Sequence, residues 1–192
     1  MSTATRDISL DGGRPLRLRG HDVTATVTPS IDETARRARI GLGAVSDPTL
    51  LRVLATMPVN EPLNWSSFTR NEQRTLRSAP DGVIERTDHR VTRLLVPPVK
   101  VESIFLRARD AARGLTAASQ FAPLCRRAIV VDESTVSESV LLEAAYFGIG
   151  VYAVADDICH VLETPAPFAI RRWTWAQWQF HEQAFGQLLA RL

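Results

Sequence analysis

Lysine is nearly absent from this chain. Lys100 is the only one, so 22 of the 23 basic residues are arginine. Cysteine is scarce too: Cys125 and Cys159 are the only two, too few for a disulfide framework. No run of about 18 apolar residues occurs, which argues against a membrane helix. The opening stretch, MSTATRDISLDGG, lacks the apolar core of a secretory signal. These absences point to a cytoplasmic protein with no membrane partner.

Missing motifs narrow the chemistry further. No G-x-S-x-G elbow frames a nucleophile, and no Walker A loop is present. Gly148-Ile149-Gly150 lacks a third glycine and precedes a strand, so it is no dinucleotide loop. His21, His89, His160 and His181 are scattered, and Cys159-His160 is adjacent rather than at a ligand spacing. No cofactor and no metal site is expected.

What is present is a globular composition, 45% hydrophobic with a net charge of +2. That balance does not itself imply a nucleic-acid partner. Arginine, however, suits bidentate phosphate contacts better than lysine does. A GC-rich coding bias gives the same replacement with no functional content.

Along the chain, residues 1–14 read as a loose arm. Leu16 and Leu18, then Val23, Ala25 and Val27, alternate with polar residues around Gly20-His21-Asp22, which predicts a hairpin. Ser30-Ile31-Asp32-Glu33 has the capping-box pattern. The helix it opens sets Ile31, Ala35, Ala38 and Leu42 on one face and Arg36, Arg37 and Arg39 mostly on the other. Asp47-Pro48 starts a second helix. A third runs to about Ser78 and carries Arg70, Arg74 and Arg77 on one face.

Residues 83–86 and 90–96 predict a second hairpin with Thr87-Asp88-His89 at its tip. A strand over 99–107, a helix over 108–120, and an apolar strand at Ala128–Val131 follow. Thr135-Val136-Ser137-Glu138 predicts another helix start. Gly148 ends that helix, and residues 149–154 form a further buried strand. Strand, helix, strand with apolar strands implies a parallel pair. Thr174–Gln177 caps a C-terminal helix rich in tryptophan. Its second apolar stripe needs a cover, either its own core or a partner chain. Trp173, Trp175, Trp178 and Phe185 are the interface candidates, for a homo-oligomer or another protein.

The run from Phe105 to Val131, followed by Tyr146-Phe147-Gly148-Ile149-Gly150-Val151, resembles the PD-(D/E)XK restriction-endonuclease-like superfamily. The resemblance covers about residues 83–154. It implies an α/β (α+β) fold, a mixed central sheet flanked by helices. It also implies a site in which an Asp and a Glu hold Mg²⁺ and a Lys assists. On this placement the Asp, Glu and Lys positions fall at Thr92, Phe105 and Arg107. A phenyl ring ligates no cation, and arginine does not exchange its proton near neutral pH. Glu33, Glu85, Asp88 and Glu102 are the candidates for migrated carboxylates.

The expected division is residues 15–82 as a hairpin with helices, 83–163 as the endonuclease-like core, and 168–192 as the last helix. Two helices followed by a hairpin also read as a winged-helix portion running to residue 97. The functional expectation is a non-catalytic, DNA-binding protein. Arg70, Arg74, Arg77, Arg86, Arg90 and Arg93 form one expected surface, which Arg107, Arg109 and Arg113 extend. The alternatives are an assembly subunit using the last helix, or a metal-dependent nuclease with migrated carboxylates.

Overall fold

The computed structural model describes residues 13–155, 158–171 and 173–191. The protein is mixed α/β, and its chain divides into two compact units, each built from two separate stretches. One comprises residues 1–27 and 101–170, the other residues 28–100 and 171–192. The expected consecutive division at 82 and 163 therefore does not hold. The chain leaves the first unit after one hairpin, builds most of the second, and then returns. Only the last two residues of the expected arm, Gly13 and Arg14, are described.

The first unit is organised on a six-stranded sheet. Strands β1 (Arg14–Leu18) and β2 (His21–Pro29) make the antiparallel hairpin read from the alternation. Beside them lie β6 (Val99–Arg107), β7 (Arg126–Asp132), β8 (Gly150–Ala155) and β9 (Ile158–Glu163), in the order β1-β2-β6-β7-β8-β9. β6, β7 and β8 run parallel, while β9 is antiparallel to β8.

Parallel neighbours need long crossovers. Helices α4 (Ala111–Ser119) and α5 (Glu138–Phe147) supply them. Asp110 caps α4 by accepting from the Arg113 amide. Ser137, not Thr135, caps α5, because Thr135 is taken up in a 3-10 turn.

Both helices pack against the β7–β8 part of the sheet. Ala111, Leu115 and Ala118 join Val140 and Ala144 over Ile129, Val131 and Val151. The two glycines of the Gly-Ile-Gly junction serve this packing. Gly148 ends α5 in the left-handed region at φ 65°. At Gly150 a Cβ atom would stand 2.7 Å from the Pro165 ring.

The second unit is mostly helical. It contains α1 (Ile31–Ile40), α2 (Pro48–Leu54), α3 (Arg70–Arg77) and α6 (Trp175–Leu189). A small antiparallel sheet of β3 (Pro62–Asn64), β4 (Ile84–Arg86) and β5 (Arg90–Arg93) completes it, in the order β3-β5-β4. The β4–β5 hairpin thus pairs with β3 and is no part of the six-stranded sheet. Leu50, Leu51, Leu54, Leu76, Val83, Val91, Leu95 and Trp178 form the core here.

Helix α1 is turned inside out. Its capping box does not close, for Ser30 makes no side-chain cap. Glu33 and Arg37 face inward instead, 4% and 1% exposed, while Ile31 is 77% exposed. The cause is a network anchored on α6. The Arg37 Nε donates to Glu33 Oε1 at 2.7 Å, and its two terminal nitrogens grip Glu182 at 2.8 and 2.7 Å. The carbonyls of Gly43 and Val96 take its two remaining donors. The Trp178 indole and the Val45 amide also donate to Glu182. A buried charge persists only when its hydrogen bonds are met in this way.

Candidate nucleic-acid interface

Helix α2 begins on the expected Asp47 cap, whose carboxylate accepts from the Thr49 amide at 2.8 Å. The chain then passes through β3 and a 3-10 turn at Trp65–Ser67 before entering α3. Thr69 and Glu72 close a full capping box at its start. The Thr69 amide and hydroxyl both donate to the Glu72 carboxylate, and they hold it below the usual carboxylate range.

Leu76 points α3 into the core and is fully buried. Helical spacing then puts Arg70, Arg74 and Arg77 outward, and all three are exposed. Arg77 lies over the Trp65 ring at 5.4 Å, a cation–π contact that fixes its side chain. Trp65 also anchors the hairpin: its indole donates to the Thr87 carbonyl at 3.0 Å and its amide to His89 at 3.2 Å. Helix and hairpin are therefore held together through one aromatic residue that the sequence reading passed over.

Two of the expected phosphate ligands serve the fold. The Arg86 guanidinium donates to the carbonyls of Leu76 and Ala79, at the C-terminal end of α3. Arg93 donates to Leu54, Met57 and Leu95 and sits 4.7 Å over the Trp178 ring. Burial depresses its pKa, yet arginine stays charged. Arg93 is thereby drawn partly out of the candidate surface, while Arg86 remains exposed. Arg90 stays on it, exposed beside the hairpin tip, as do the acidic Glu85 and Asp88. Arg107, Arg109 and Arg113 are exposed on the first unit, at the end of β6 and the start of α4.

The motif positions are separated. Thr92 lies in β5, opposite Pro62 and Glu85, in the three-stranded sheet. Phe105 and Arg107 lie in β6 of the six-stranded sheet. The Phe105 ring packs edge-on against Tyr152 at 5.2 Å. Glu33 is committed to Arg36 and Arg37. Burial would raise its pKa, but the hydrogen bonds and charges of the two arginines outweigh that and lower it. Glu85 and Asp88 stand on the hairpin, and Glu102 lies in β6. Among the described residues no group of three or more His, Cys, Asp or Glu is placed to hold a metal. The Cys125 thiol is pushed up to about 12 by burial, so it is not poised as a nucleophile.

The expected C-terminal interface is largely used internally. Trp178 and Phe185 are 1% and 6% exposed. Trp173 and Trp175 pack on the same core as Trp178, with Arg52 over the Trp175 ring at 5.0 Å. The Thr174–Gln177 capping box forms as read. No helix among the described residues is long and apolar enough to cross a membrane.

No family model, curated protein or solved structure matches the chain.

Proposed function

We propose that this is a non-catalytic nucleic-acid-binding protein whose second unit binds duplex DNA as a winged-helix module does. The observation that carries this reading is the placement of α3 beside a β3-β5-β4 sheet, with Leu76 inward and Arg70, Arg74 and Arg77 outward. In winged-helix modules a helix enters the major groove and a hairpin touches the backbone. Here α3 is the groove helix. The β4–β5 hairpin is the wing, with Arg90 next to its tip. Arg70 and Arg74 contact phosphates, while Arg77 is held against Trp65 and sets the edge of the footprint.

For the first unit we propose a degenerate endonuclease-like sheet. Its β6-α4-β7-α5-β8 order is the one the resemblance implies. The strand beside β6 comes from the N-terminal hairpin rather than from residues 83–96. Phe105 occupies the position of a metal-binding acid, so this unit contributes shape and charge rather than cleavage.

The test is fluorescence anisotropy with duplex DNA across a salt series. Arg70→Ala with Arg74→Ala weakens binding, and the slope of log affinity against log salt falls by about 2. Unchanged affinity and slope would remove α3 from the interface.

A further inference from the structure

Helix α1 presents an apolar face that its own unit does not cover. Ile31 is 77% exposed, and Ala35 and Ala38 are exposed beside it. At 100° per residue, positions 31, 35 and 38 form one stripe. Along one edge of that stripe this face joins a cavity of about 470 Å³, lined by Ala38 and Leu42 with Val99, Phe185, Leu188 and Leu189. The opposite face of α1 is fixed inward by the Arg37–Glu182 grip. The helix therefore cannot turn to hide the stripe without leaving three charges buried and unpaired.

The charges beside the stripe indicate what covers it. Asp32 and Arg39 are both exposed, and no ion pair within the described residues engages either. They are seven residues apart, so they lie on the same flank, two turns or about 10 Å apart along the axis. Ala35 is between them. Two such helices packed antiparallel about a two-fold axis near Ala35 set Asp32 against Arg39 twice. Parallel packing would leave the Asp32–Arg39 flanks of the two copies on opposite sides of the seam, with no cross pair between them. In antiparallel helices it is residues on the same flank that meet, which is the arrangement α1 provides.

We propose that α1 is a self-association surface, on which a second copy of this chain packs its own α1 antiparallel. Ala35 forms the close approach at the axis. Ile31 of each copy enters the other's cavity beside Ala38 and Leu42. A two-fold interface is self-complementary in this way. The helix is only about 15 Å long, short of the area that makes an obligate dimer, so the dimer is weak and depends on concentration. This inference does not rest on the DNA-binding reading, since α3 takes no part in it.

Sedimentation equilibrium of the full chain tests it. Mass rises with concentration from the 21.3 kDa monomer toward twice that value. Asp32→Arg alone, or Arg39→Asp alone, weakens association about tenfold, because each sets like charges together at both sites. An equimolar mixture of the two variants restores association, since one then offers two cations on that flank and the other two anions. Restoration also shows that both variants are folded. A monomer at every concentration, or a mixture no better than either variant, would overturn the proposal.

Discussion

The two units bury different things. The first is closed by apolar layers: Ala128, Ile129, Val130 and Val131 are all under 5% exposed, and α4 and α5 cover one side of the sheet with alanine, leucine and valine. The second has an apolar core of its own around Leu51, Leu54 and Trp178 but also encloses Glu33, Arg37, His181 and Glu182. A core of the first kind is stabilised by apolar burial and tolerates rearrangement of like residues. A core of the second kind depends on every donor finding its acceptor. The lesson concerns arginine. Of the arginines on the second unit, Arg37 and Arg93 are drawn inward and Arg86, though exposed, bonds to carbonyls at the end of α3, while Arg70, Arg74 and Arg90 are exposed.

The largest expected effect comes from breaking the charged core. Arg37→Ala leaves Glu33 and Glu182 buried without their shared cation and costs about 3–5 kcal/mol. Urea denaturation read at the midpoint measures it. The matching change in the first unit, Leu115→Ala, costs about 3 kcal/mol through lost burial and a cavity. If Arg37→Ala proves the milder of the two, the contrast between the cores fails.

The pH dependence of stability sharpens the comparison. Burial, with Lys100 nearby, depresses the His181 imidazole from 6.5 to about 4. The unfolded chain then binds a proton that the folded chain refuses. Stability is full above pH 6.5 and declines as pH falls toward 4, by about 3 kcal/mol at most. Glu33, whose pKa is lowered, adds its own loss only below about 4.5. His181→Leu should therefore flatten the stability profile between pH 4.5 and 6.5. An unchanged slope there would mean that another group titrates.

A smaller effect is expected at Arg86. Arg86→Ala frees the carbonyls at the end of α3 and costs about 1 kcal/mol by thermal melting. Its effect on DNA affinity, at a temperature where the variant is folded, should stay below that of Arg70→Ala.

The apolar unit was the more legible from sequence. The strand-helix-strand-helix-strand order over residues 99–155 follows from short apolar runs and the caps between them. The Asp47 and Thr174 caps were equally plain, because one side chain satisfies one helix end. β3 was missed because three residues are too few to show a period of two. β9, Ile158–Glu163, was missed because its residues do not alternate cleanly. The inverted α1 misled for a deeper reason. Its periodicity was real, but the partner that drew Arg37 inward is Glu182, 145 residues away, and no local pattern announces such a pair. The same blindness hid the roles of Arg86 and Arg93, whose acceptors are backbone carbonyls.

The most direct test of the account is DNA affinity measured on two paired variants, Arg70→Ala/Arg74→Ala in the second unit and Arg107→Ala/Arg109→Ala in the first. The account predicts the larger loss of affinity and of salt dependence in the α3 pair. A larger loss in the β6 pair, with the α3 pair binding as tightly as the unaltered protein, would contradict it.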